Sequence, residues 1–313
     1  MPGRAEDSRS WARTVERFSL NVSVLMLRTL GVVLPGSVLW PLLWPIAMLR
    51  SAWELGWGGP TFGEFRRISG PPLLPPGRGL TLRRLLLGRT QLNLAKLLFL
   101  WPEKLASGRG VPCRIVGADR LAGLGRVGSP ALLLTLHFGP TGVFFNWLRA
   151  RGYPVAVVAM KGRRRLPWYR RYLSRVRDAP NELVGLPSLI EVGRVREMRD
   201  HLDAGGLLMV AVDGGHGRHS CSPVVQGLTL SMSTGALRIA ALTGAVVIPC
   251  LIRSGPLFSL TIHLGEPLAV ETVANKVGHP AACQHLLREF LTTLAVAPEE
   301  CSFELLDSLG RSE

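Results

Sequence analysis

The chain has 313 residues, with 37 Lys and Arg against 22 Asp and Glu, a formal net charge of +15. Hydrophobic residues make up 47% and charged residues only 19%, which excludes wholesale disorder and supplies enough apolar material for a sizeable core. A chain both this basic and this apolar fits a membrane surface better than a soluble nucleic-acid binder, which would carry more polar residues between its charges.

Residues 29–49 contain no charge and are bracketed by Arg28 and Arg50. Their length would span a bilayer as a helix, which needs about 20 residues. Pro35, Pro41 and Pro45 favour kinks, so an interfacial hairpin competes with a straight span. Trp40, Trp44, Trp53 and Trp57 are the ring type that settles at the headgroup level. A cleaved signal peptide fits poorly, because 28 residues precede the run and no small-residue cleavage pattern follows it. Residues 58–79 are rich in Gly and Pro and read as a linker. The stretch Leu80–Leu100 carries apolar positions at helical spacing with Arg83, Arg84, Arg89 and Lys96 between them, which predicts an amphipathic helix.

Short apolar runs of strand type follow at Ala131–Leu136, Val155–Ala159, Leu207–Val212, Val246–Ile252 and Phe258–Leu264, with helices predicted at Ser188–Ala204 and Thr234–Thr243. Strands that are apolar throughout and separated by helices imply an α/β fold with a mainly parallel central sheet flanked by helices. The last two runs lie close enough in sequence to form a hairpin near one edge. The organisation read from the chain is an N-terminal membrane-associated helical segment (1–57), the linker (58–79) and one α/β domain (80–313).

Three motifs bear on chemistry. Gly123-Leu124-Gly125-Arg126-Val127-Gly128 is a literal GxGxxG, but a strand-like run follows it where a dinucleotide site needs a helix, so it reads as a glycine-rich turn. Asp213, His216, His219 and Cys221 are metal-ligating types, yet the two-residue gap between the histidines matches no common spacing, and a polar loop beside a pocket is the better reading, with no metal. His137 ends a fully apolar strand just before Gly139-Pro140, where parallel sheets place their ligand crevice, and imidazole titrates near neutrality as a general base requires. The five cysteines are scattered without CxxC spacing, which argues against a disulfide framework and for a reducing compartment.

From Arg149 to Arg177 there are ten basic residues, including Lys161, Arg163, Arg164 and Arg165, and no acid, with Trp168, Tyr169 and Tyr172 interleaved. That composition suits anionic headgroups, an acidic carrier protein or the phosphates of a glycolipid. Nucleic acid is the weaker reading beside so apolar an N-terminus.

The order His137-Phe138-Gly139 after an apolar strand, the basic stretch, GGLLMVAVDGG, GLTLSMSTGALRIAALTGAVVIPCLIR and TIHLGEPL resembles the bacterial lipid A biosynthesis (lauroyl/myristoyl-type) acyltransferase group of the glycerolipid (lysophospholipid) acyltransferase superfamily. The resemblance implies transfer of a fatty acyl group from an acyl carrier protein or CoA thioester to a hydroxyl of a membrane glycolipid or phospholipid, with no cofactor. It also implies a place at the cytoplasmic face of the cell inner membrane, anchored or peripheral, with His137 as the base. Backbone N–H groups near Gly139 or in the Asp213-Gly214-Gly215 turn would serve the developing oxyanion, and Lys161 and Arg163 to Arg165 would hold substrate. The family's motif is histidine, four residues, then Asp or Glu, and here the acidic position is held by Gly142. Glycine can neither orient nor stabilise an imidazolium. Asp213, which ends another predicted central strand, is the first candidate to replace the acid, and Thr141 is a weaker neutral one. A catalytically impaired lipid-binding or scaffold protein of the same fold is the alternative.

Overall fold

The computed structural model describes residues 26–27, 29–56, 65, 80–98, 101, 104–105, 111–124, 129–159, 188–213, 219–268 and 276–311. Helix α1 (Gly36–Gly56) and helix α2 (Leu82–Leu97) precede the first strand, β1 (Cys113–Val116). The domain continues through β2 (Ala131–Thr135), α3 (Thr141–Ala150), β3 (Val155–Ala159), β4 (Ser188–Glu191), α4 (Val195–Asp203) and β5 (Leu207–Ala211). Short strands β6 (Ser220–Cys221), β7 (Val224–Val225), β8 (Leu228–Leu230) and β9 (Met232–Ser233) lead to α5 (Gly235–Thr243), β10 (Val246–Ser254), β11 (Leu260–Leu264), α6 (His279–Val296), α7 (Phe303–Ser308) and β12 (Leu309–Arg311).

Seven strands form the central sheet in the order β1-β11-β10-β2-β5-β3-β4. Strands β10, β2, β5, β3 and β4 run parallel, and β11 turns back antiparallel to β10. The sheet is therefore mainly parallel and needs apolar cover on both faces. Alternation supplies it. Leu132, Leu134 and Leu136 face one core with Leu208, Leu251, Leu202 of α4, Leu237 of α5 and Phe290 of α6. Leu133 faces the other core with Met209, Ile248, Leu43 of α1, Leu94 of α2 and Phe144 of α3.

The structure corrects several expectations. The stretch Ser188–Ala204 opens as strand β4, which pairs parallel with β3, and only its second half is helix α4. The β10–β11 hairpin lies near one edge as expected, and what the sequence missed is β1, which closes that edge. Helix α2 is not simply amphipathic, since it buries Arg89, Thr90 and Asn93 along with its leucines. The uncharged N-terminal run is broken at Leu34 and Pro35, whereas Pro41 and Pro45 are accommodated within α1. No helix among the described residues is long and apolar enough to cross a membrane.

Helix α1 lies on the protein with one face only. Leu39, Trp40, Leu43, Ala47 and Ser51 are buried, and the Trp40 ring meets Phe258 edge-on at 5.0 Å. Val38, Leu42, Ile46, Leu49 and Trp53, spaced three and four residues apart, form the outward stripe, with Ile46 66% and Leu49 70% exposed. Of the linker residues, Phe65 is described and buried in the first core.

Candidate active site

Strands β2 and β5 are neighbours, paired in register from Ala131 with Leu207 to Thr135 with Ala211. Val212 continues the pairing by donating its N–H to the Thr135 carbonyl, 2.9 Å. His137 and Asp213 each stand two residues beyond the last register pair, so equal offsets bring them together at the carboxyl ends of the parallel strands. This is the edge where such sheets place their ligand crevice.

Imidazole Nδ1 of His137 lies 3.1 Å from both Oδ1 and Oδ2 of Asp213. Oδ1 also accepts the main-chain N–H of His137 at 3.0 Å, so one carboxylate fixes both the backbone and the ring. A carboxylate only accepts, which puts the ring proton on Nδ1 and leaves Nε2 with its lone pair. The Asp213 side chain is 0% exposed and the His137 side chain 55% exposed. The carboxylate is dry and the imidazole is presented outward.

The His137 loop is held from behind by a segment that sequence reasoning missed. Phe138 forms an isolated antiparallel bridge with Cys301. Flanking it, the Gly139 N–H donates to the Glu300 carbonyl at 2.9 Å and the Ser302 N–H donates to the His137 carbonyl at 2.9 Å. Gly139 adopts φ +64°, and a Cβ there would stand 1.8 Å from the Ile252 carbonyl oxygen of β10. Only glycine fits so close a backbone approach in the left-handed region. The Gly139 N–H, expected as an oxyanion donor, is committed to Glu300 instead.

The Glu300 carboxylate accepts the Ser254 N–H on both oxygens, at 3.1 and 2.9 Å. Burial pushes its carboxyl up to about 8, the Ser254 N–H and the Arg253 charge pull back, and neighbouring Glu299 adds to the rise. No motif betrays this residue, because its link to the loop runs through backbone atoms more than 160 positions away in sequence.

Thr141, the neutral alternative to the missing acid, donates its hydroxyl to the Phe138 carbonyl at 2.6 Å and shapes the turn into α3. Gly142 is the second residue of that helix. Lys161, Arg163, Arg164, Arg165, Gly214, Gly215 and His216 lie outside the described residues, as do the last four positions of the GxGxxG stretch. Of the metal-type cluster, Asp213 is turned to His137 and the His219 carbonyl accepts the Thr234 N–H. Among the described residues no group of three His, Cys, Asp or Glu is placed to hold a metal ion.

No family model matches the chain, and no curated protein sequence matches it. Among solved structures, the 1-acyl-sn-glycerophosphate (LPA) acyltransferase PlsC from Thermotoga maritima superposes over 83% of this chain and 97% of its own, at 14% identity and a TM-score of 0.39.

Proposed function

We propose that the protein is an acyltransferase of the glycerolipid type that esterifies a lipid hydroxyl from an acyl thioester, with His137 as general base and Asp213 as its orienting acid. The observation that carries this reading is the buried Asp213 carboxylate on Nδ1 of an outward-facing imidazole at the carboxyl end of a parallel sheet. Nε2 takes the hydroxyl proton as the oxygen attacks the thioester carbonyl. Collapse of the tetrahedral adduct forms the ester, breaks the C–S bond and returns the proton from the imidazolium to the departing thiolate. Asp213 stabilises the imidazolium between those steps, the part that Gly142 cannot play.

The class of substrate comes from the motif order described above, as does the lipid A branch, with a glycolipid or phospholipid acceptor and a carrier-protein or CoA donor. Lys161 and Arg163 to Arg165 would meet the phosphates of either partner. Since the Gly139 N–H is taken, the Asp213-Gly214-Gly215 stretch is our candidate for the oxyanion donors. The outward stripe of α1 supports a peripheral position on a lipid surface, and the motif order suggests the cytoplasmic face of the inner membrane.

Acyl transfer from labelled thioesters to membrane lipid extracts tests the reading in wild type, His137→Ala and Asp213→Asn. Neutralising the orienting acid of a serine hydrolase triad costs about 10⁴ in rate, so we expect Asp213→Asn to lose about 10² to 10⁴ in kcat and His137→Ala at least as much. Equal transfer by wild type and His137→Ala would overturn the assignment. A wild type inert toward every donor and acceptor would put a lipid-binding scaffold in its place.

A further inference from the structure

Among the buried polar side chains that this chemistry leaves unused is an arginine. Arg89 of α2 is 4% exposed, and its guanidinium is forked between two elements far apart in sequence. Nη1 donates to the Cys301 carbonyl at 2.8 Å and reaches the Glu299 carbonyl at 3.4 Å. Nη2 donates to Oε2 of Glu54 in α1 at 3.2 Å. Asn93, one helical turn on, donates to Ser51 Oγ at 2.9 Å and to the same Glu54 oxygen at 3.3 Å. Burial works against the charge on Glu54, but Arg89 and then Arg50 outweigh it and hold the carboxyl below its ordinary value.

We propose that Arg89 is a positioning residue for the His137–Asp213 pair, tying α1 to the His137 loop through the Cys301 carbonyl. The inference rests on His137 being the base. Cys301 is the residue bridged to Phe138, and its neighbours Glu300 and Ser302 make the hydrogen bonds to Gly139 and His137. One side chain thus stands two contacts from the catalytic imidazole and one contact from the helix that carries the outward apolar stripe.

Stability alone gives little reason for this arrangement. A buried ion pair is often replaceable by apolar residues of similar volume at no loss, whereas only a planar fork reaches a carboxylate and a carbonyl on opposite sides at once. A substitution that opens the fork frees the 299–302 segment to shift, and with it the loop whose backbone Asp213 must meet at 3.0 Å.

The test uses the full-length protein and two readouts. Long-range 1H–15N correlation spectra report which nitrogen of His137 carries the proton, its signals being those lost in His137→Gln. Asp213 holds the Nδ1–H tautomer, whereas an unheld imidazole favours Nε2–H. Arg89→Lys keeps the charge but reaches only one acceptor. It is expected to shift His137 toward the Nε2–H tautomer and to lower kcat about tenfold with KM within about twofold, since misplacement of about 1 Å can cost up to 10²-fold. Glu54→Gln, which keeps a weaker neutral bond, should move both readouts the same way by less. Wild-type tautomer and kcat in both variants, with only the melting temperature lowered, would overturn the inference. The two proposals fail separately. An inactive wild type refutes the acyltransferase reading, while the tautomer comparison still decides the role of Arg89.

Discussion

The carboxyl of Glu300 sits buried beneath the His137 loop, and it should make folding stability fall with rising pH. Its folded value of about 8 stands against 4.5 for an ordinary glutamate, with burial as the main cause. The gap of about 3.5 units, at about 1.4 kcal/mol per unit, corresponds to about 5 kcal/mol. The sign follows from proton binding. Between about pH 4.5 and 8 the folded state keeps a proton that the unfolded state has released. The contribution is therefore complete below about 4.5 and is lost as pH rises through about 8. Glu300→Gln keeps the shape and an acceptor for the Ser254 N–H but cannot ionise. Urea unfolding of both proteins from pH 5 to pH 9 isolates the residue, because every other titrating group is common to the two. The difference in unfolding free energy should move in favour of the glutamine variant by several kcal/mol across that range, most steeply between pH 5 and 8. Parallel stability curves would refute the reasoning and show that Glu300 is solvated or compensated in its ionised form.

Two further outcomes follow from the same loop and from α1. Gly139→Ala places a methyl group where the Ile252 carbonyl stands 1.8 Å away, at a backbone angle that costs alanine about 1 to 2 kcal/mol even in open space. The loop must move, so acyl transfer and the Nδ1–H tautomer of His137 should both be lost, and wild-type activity in this variant would contradict the geometry. Replacing Leu42, Ile46 and Leu49 together with Ser removes three side chains that are already half to two-thirds exposed, so stability should hold. Each removes about 1 to 2 kcal/mol of transfer to an apolar phase, and vesicle binding measured by flotation should weaken about 10² to 10⁴-fold. Unchanged flotation would show that the outward face of α1 does not meet lipid.

The sequence made the strands legible where they were long and fully apolar. Val155–Ala159 occupies the predicted residues, and β2 and β5 end within a residue of theirs. It failed at short elements. Cys113–Val116 has only four residues at an edge, and Ser188–Glu191 runs into a helical pattern that masks it. Arg89 and Glu300 were illegible for another reason, since the spacing of a charged residue along the chain does not say what it will meet. Arg89 falls among the basic positions of a predicted amphipathic helix, and its partners lie 35 and 212 positions away.

The missing acid is the instructive case. The motif of the family that the sequence resembles points to a gap at Gly142, and Asp213 is the first candidate to fill it, because both His137 and Asp213 close apolar strands. Whether those strands were neighbours could not be read, since sheet order depends on crossovers that periodicity does not encode. What the imidazole requires is a carboxylate at hydrogen-bond distance from Nδ1, and sequence separation does not enter that requirement. A carboxylate on the adjacent strand, at the same offset past the last register pair, meets it across 76 positions. It meets it with a second bond to the His137 backbone, which anchors the acid to the loop it orients. With glycine at 142, the imidazole still has a carboxylate on Nδ1.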